Sequence, residues 1–354
     1  MSRPFLLPAS PSLPPSVSSS LRLSVLATLV LAGCLHHRPG TPASRKGDEI
    51  VVAGQLFHTG TRVITWMDPG GYDAYRVERR FTPYAESSWE KTPPDVAKTL
   101  GTPNRYSVRQ NSLTPEEIER VRGGGWDLPK LQNVVDQFVV HYDVCGISKV
   151  CFNVLHDHRG LSVHFMLDID GTIYQTLDLK ERARHATISN DRSVGIEIAN
   201  MGAYPPGDLK VLDEWYQRDA QGQPYIKVPE RLGDPMIHTP NFTGRPVRPE
   251  PVRGNIQGTD LVQYDLTPEQ YAALTKLTAA LCQVFPKITC NYPRAADGKV
   301  VPKKLPDDVL KAYGGILGHY HIQTNKTDPG PAFDWDRVID GARRELGLPA
   351  IPRR

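Results

Sequence analysis

The sequence predicts an α/β fold, and three stretches carry that prediction. "QFVVHYD" (residues 137–143) is a short run of β-branched and aromatic residues, which reads as a strand. "SVHFMLDIDGTIYQTL" reads as a β-hairpin turning at Asp170-Gly171, since glycine accepts the positive φ of a tight turn. "LTPEQYAALTKLTAALCQVF" reads as a helix: Thr267, Pro268 and Gln270 make its N-terminal cap, and Tyr271, Leu274, Leu277 and Leu281 share one face. Strands interleaved with helices are the pattern of a sheet covered by helices.

The remaining elements follow in chain order. Residues 21–34, "LRLSVLATLVLAGC", set Arg22 before an apolar core, Leu23 to Leu31, that is too short to span a bilayer as a mature helix. The ending Leu31-Ala32-Gly33-Cys34 resembles the lipobox of a bacterial lipoprotein, so residues 1–34 read as a signal peptide and Cys34 as the lipidated residue. Leu35 in place of aspartate after that cysteine resembles sorting to the periplasmic face of the outer membrane. Residues 35–48 read as a polar tether, and residues 49–130 as an N-terminal extension to which no motif assigns a role. Within it "LTPEEIERVRGGG" marks a helix start, with Thr114 as N-cap, Pro115 in the first turn and Glu117 closing a capping box. "SVGIEIAN" (residues 193–200) reads as a further strand, and Pro/Gly-rich residues 201–263 as a long inserted loop lining a groove. "GGILGHYHI" reads as a last core strand or a helix-to-loop transition, and "DWDRVIDGARRELG" as the closing helix.

Composition bounds the function. The 354-residue chain is 39% hydrophobic and 23% charged, enough to bury a sizeable core, and carries a net charge of +3 with both signs interspersed. No basic block of the kind that tracks a phosphate backbone is present, which argues against nucleic acid as a partner. Of five cysteines, Cys34 belongs to the leader; Cys145 with Cys151 and Cys282 with Cys290 form two local pairs, read in an exported chain as disulfides.

The chemistry gathers at strand ends. His141 follows Phe138-Val139-Val140, His319 follows Ile316-Leu317-Gly318, and Asp328 comes nine residues after His319 in an Asp-Pro-Gly turn. Two neutral imidazoles and a carboxylate make a three-ligand zinc set with one position left open, the hydrolytic rather than the structural arrangement.

"VVHYD", "SVHFMLDIDGTIYQ", "RARHATISNDRSVGIEIAN" and "GHYHIQTNKTDPGPAFDW" occur in the order seen in type 2 N-acetylmuramoyl-L-alanine amidases, the family that includes the peptidoglycan recognition proteins. The resemblance spans residues 137–347 and implies an amidase domain at 131–347 interrupted by the 201–263 insertion. It implies a central mixed β-sheet flanked by helices. It implies Zn2+ held by His141, His319 and Asp328, with Glu197 as general base and acid and Lys326 stabilising the oxyanion. His185 and Asn190 fall at substrate-binding positions, although Arg184 and Ala186-Thr187 depart from the Trp-His-Ala-Gly pattern around that histidine. Cys145-x5-Cys151 resembles the disulfide of the recognition proteins. The implied activity is hydrolysis of the amide between N-acetylmuramoyl groups and L-alanine in peptidoglycan or muropeptides, by a membrane-anchored lipoprotein. The competing reading is a recognition protein that binds peptidoglycan without cutting it; the three filled ligand positions favour catalysis.

Overall fold

The computed structural model describes residues 43–75, 106–110, 113–122 and 124–352. The leader, Cys34 and most of the tether lie outside the described residues, and the folded unit runs from Arg45. Among the described residues no helix is long and apolar enough to cross a membrane.

The extension opens with a hairpin of β1 (Glu49–Val52) and β2 (Gln55–His58), followed by β3 (Val63–Thr65) and β4 (Tyr106–Ser107). Helix α1 (Pro115–Arg122) begins at the expected capping box: Thr114 N donates to Glu117 Oε2 at 3.0 Å and Glu117 N to Thr114 Oγ1 at 3.2 Å. After α2 (Leu128–Val134) come β5 (Gln137–Tyr142), α3 (Ser148–Phe152), β6 (Phe165–Leu167), β7 (Ile173–Gln175), β8 (Arg182–Ala183) and β9 (Ser193–Ile198). The hairpin β6–β7 turns at Asp170-Gly171 as expected. Gly171 has φ +80°, and a Cβ there would stand 2.7 Å from the Glu269 carbonyl oxygen.

The 201–263 segment departs from its reading as a bare loop. It contains α4 (Lys210–Trp215) and two hairpins, β10 (Tyr216–Arg218) with β11 (Pro224–Ile226) and β12 (Val252–Ile256) with β13 (Thr259–Gln263). Strands of three to five residues carry too little alternation to be read through the surrounding prolines and glycines. The chain closes with α5 (Pro268–Val284), α6 (Asp307–Ala312), β14 (Gly315–Gly318) and α7 (Trp335–Glu345).

Among the described residues six strands form the central mixed sheet, in the order β14-β5-β9-β6-β7-β3. β14, β5, β9 and β6 run parallel; β6 and β7 are antiparallel; and β3, from the extension, adds a parallel edge strand against β7. Alternation sorts the side chains. Phe138, Val140, Val194, Ile196 and Ile316 pack in one core with Leu274, Leu277 and Leu281 of α5 and Val338 and Ile339 of α7. Truncating one such buried leucine to alanine typically costs about 2–5 kcal/mol. Val139 and Leu317 turn to the other side, among Leu305, Leu310 and Ile322. His141 and Glu197 share that second parity, so the strands deliver them to the face opposite α5 and α7.

The extension is also tied in by Arg109, which is fully buried. Its Nη1 donates to the carbonyls of Asn190, Asp191 and Ser193, and its Nη2 to that of Leu179, so one guanidinium pins the entry to β9.

The cysteines after the leader lie side by side in the two expected pairs. Cys145, Cys151, Cys282 and Cys290 are free thiols, although Cys151 is hydrogen-bonded to Cys145 and Cys282 to Cys290.

Candidate active site

The site lies at the C-terminal ends of three neighbouring parallel strands, where α/β sheets open a crevice. His141 on β5 is in register with Glu197 on β9, and Val140 is in register with Gly318, the last residue of β14. The chain leaves β14 directly into His319, so three functional side chains come side by side although 178 positions separate His141 from His319. Asp328 returns on the following loop. His141 Nδ1 stands 2.7 Å from Asp328 Oδ2 and His319 Nδ1 3.0 Å from the same oxygen. Candidate ligand atoms of the three residues all lie within 4.8 Å of one another.

The outer edges of both rings are engaged. His319 Nε2 lies 2.6 Å from Gln323 Oε1, which holds the far edge of the ring. His141 Nε2 lies 3.1 Å from His185 Nδ1, and His185 Nε2 lies 3.2 Å from Ser193 Oγ. Gly195 makes room for this arrangement, since a Cβ there would meet the His185 ring at 2.5 Å. Two imidazole nitrogens and a carboxylate oxygen thus converge on one point, a donor set that calls for a cation. Hydrogen bonds on the far nitrogens are how proteins orient histidine ligands.

Electrostatics agree. Burial, reinforced by His319, pushes His141 down to about 4, so at neutral pH it is an uncharged donor. Burial pushes Asp328 up, but His319 and His141 outweigh it and hold the carboxyl well below its usual range. Glu197 goes the other way: burial first, then the nearby Asp328 and Asp143 carboxylates, raise it well above the usual value, with Lys326 partly opposing. Two carboxylates in one site pushed in opposite directions suit two different roles, one to ligate and one to carry protons.

A cavity of about 300 Å³ opens onto these groups, lined among others by His141, His319, Asp328, Glu197, Lys326 and His185. A family model described as N-acetylmuramoyl-L-alanine amidase matches residues 131–331, more than half of the 354-residue chain. The chain belongs to that amidase family.

No curated protein matches the amidase. Among solved structures, a selenomethionine derivative of AmpD is 18% identical, with 67% of this chain and 89% of that chain covered and a TM-score of 0.31. The endolysin LysCS from Clostridium intestinale is 14% identical, covering 62% and 87%, with a TM-score of 0.31. AmiD from E. coli, solved with anhydro-N-acetylmuramic acid-L-Ala-D-gamma-Glu-L-Lys, is 19% identical, covering 62% and 59%, with a TM-score of 0.32. Residue roles in this amidase therefore rest on its own geometry.

That geometry brings His141, His319, Asp328, Glu197, Lys326 and His185 to one cavity. It corrects the expectation for Asn190, which is not among the lining residues. Asn190 Oδ1 accepts from the amides of His185 and Ala186, so the side chain caps the turn that presents His185. No residue of the 201–263 insertion lines this cavity. Instead Gln263 Nε2 donates to Pro329 O at 3.0 Å and Gln263 Oε1 accepts from Ala332 N at 2.9 Å, bracing the loop that carries Asp328. The Tyr142 hydroxyl lies 2.5 Å from Thr327 Oγ1 on the same loop. His321 is buried in the sheet end: Gly318 N donates to its Nδ1 and its Nε2 donates to Val301 O. Gln323, Gln263 and Tyr142 escape a reading of the sequence. The one signal they offer is their position beside a ligand or at the end of a strand.

Proposed function

We propose that the amidase is zinc-dependent, that His141 Nδ1, His319 Nδ1 and Asp328 hold the ion, and that it cuts the amide between the lactyl carbonyl of N-acetylmuramoyl groups and L-alanine in peptidoglycan or its fragments. The observation that carries the reading is the convergence of those three donors, with Glu197 in register beside His141 on the next strand. Two neutral imidazoles and one carboxylate are a hydrolytic zinc set. When bound, zinc polarises the scissile carbonyl and lowers the pKa of water to about 7.

The chain's own groups then have distinct work. Glu197 takes a proton from the attacking water as the new C–O bond forms. As the C–N bond breaks, the same carboxyl passes that proton to the nitrogen of the departing L-alanine. Burial and the neighbouring carboxylates raise its pKa well above the ordinary value, the direction that suits a carboxyl which both accepts and returns a proton. Lys326, on the cavity wall, supplies positive charge for the oxygen that becomes negative in the tetrahedral state. His185 holds His141 from behind.

The leader sequence supports export, lipidation at Cys34 and display from the 35–48 tether at the periplasmic face of the outer membrane. In that oxidising compartment the two thiol pairs close to disulfides.

Digestion of purified sacculi, followed by mass spectrometry, tests the reading. Stem peptides with a free L-alanine amino group are released by the enzyme as purified, release stops with chelator, and added zinc restores it. Undiminished release in chelator removes the metal from the account.

A further inference from the structure

The turn joining β12 to β13 is a two-residue connection, Gln257-Gly258, closed by the pair Ile256 and Thr259. Both central residues have positive φ, +55° at Gln257 and +81° at Gly258. Asparagine or aspartate is the ordinary choice at the first of these positions, because a short polar side chain tolerates that backbone best. Glutamine is one methylene longer, and here the extra length has a use. Gln257 Nε2 lies 2.9 Å from the Tyr320 carbonyl, 2.8 Å from that of Gln323 and 3.5 Å from that of Lys326. Gln257 Oε1 accepts from Lys304 N at 3.2 Å, and Gln257 N donates to Pro302 O at 2.9 Å. One side chain therefore gathers the peptide groups of the segment between His319 and Asp328 and fastens them to a second stretch of chain.

We propose that Gln257 is a positioning residue, which sets the Lys326 ammonium against the reacting carbonyl by holding the inner carbonyls of residues 320–326. The inference rests on the oxyanion role of Lys326 given above. It gives the insertion a purpose, since Gln263 secures the loop around Asp328 and Gln257, through the Tyr320 and Gln323 carbonyls, secures the arm that leads to Lys326. The two ends of the loop are thus held by different residues of one hairpin. Gln257 touches no metal ligand itself and reaches only His319, indirectly, by way of Gln323; its loss shifts the lysine while the ligands keep their mutual contacts at Asp328, whose loop Gln263 holds.

Three variants test it on a soluble muropeptide. Q257N suits the turn better and withdraws the amide. It lowers kcat about tenfold, the scale expected of a sub-ångström misplacement, with KM within about twofold, full zinc content and a melting temperature no lower than wild type. K326M alone lowers kcat about a hundredfold, and adding Q257N to it lowers kcat no further. Q257E keeps the length but faces carbonyls with a carboxylate, and it falls below Q257N. An unchanged kcat in Q257N, a Q257N loss that persists in the K326M background, or a loss that tracks missing zinc overturns the role of Gln257 alone. An unchanged kcat in K326M overturns the oxyanion role and this inference together.

Discussion

Glu197→Gln lowers kcat by about a thousandfold or more, within the range general acid–base groups contribute, while zinc stays bound and muropeptide affinity is kept. Glutamine preserves the size and the hydrogen-bonding reach of the side chain but neither takes a proton from water nor returns one to the amine. The same change has an opposite effect on stability. Burial and two neighbouring carboxylates hold the Glu197 pKa well above its ordinary value in the folded chain. In the unfolded chain the group ionises near its usual value of about 4.3. As pH rises through the window between those two values the unfolded chain releases its proton first, so folding stability contributed by this site is present at low pH and is lost toward neutrality. Metal-free E197Q is free of that loss. It melts above metal-free wild type at pH 7 and level with it at pH 4, a comparison calorimetry makes directly. A variant as active as wild type, or one equally shifted at both pH values, contradicts the role given to this carboxyl.

Asp328→Ala is the second large effect. Asp328 Oδ2 is the atom both imidazoles face, at 2.7 and 3.0 Å, so its loss removes a ligand and leaves the two rings without their common partner. Changing groups behind a zinc ligand typically costs about 10–100-fold in metal affinity, and losing the ligand itself costs more. Purified D328A carries well under one zinc per chain, and its activity falls to that of chelator-treated wild type. His141→Ala behaves alike. Wild type melts higher with saturating zinc than without it, because the ion binds the folded chain, and this gap closes in D328A. Elemental analysis and melting curves on the same samples check both statements. Full occupancy in D328A places the metal elsewhere.

How far the sequence carries the fold can be followed at single residues. His141 is legible because it ends an apolar run, and the capping boxes at Thr114 and Thr267 are legible because their signals are local. The pairing of His141 with Glu197 is not, since parallel strands 56 positions apart leave no local mark of their register. It emerges from the resemblance of motif order. Arg109 offers no signal of its own, because arginine is seldom fully buried, and only the assembled carbonyls of residues 190, 191 and 193 explain it. Asn190 reads as a substrate contact through the family resemblance, whereas its oxygen serves two turn amides. Gln257, Gln263 and Gln323 are uncharged and without periodicity. Their work is defined by which carbonyls and imidazoles the tertiary fold sets opposite them, which no window of sequence contains.

Anomalous diffraction at the zinc edge, on crystals grown with the ion, tests the three-ligand metal centre most directly. One strong peak per chain is expected, about 2.0–2.2 Å from His141 Nδ1, His319 Nδ1 and an Asp328 carboxylate oxygen, with a side open to the cavity where Glu197 and Lys326 stand. A peak held by other residues, or none at that point in protein that still releases stem peptides, contradicts it.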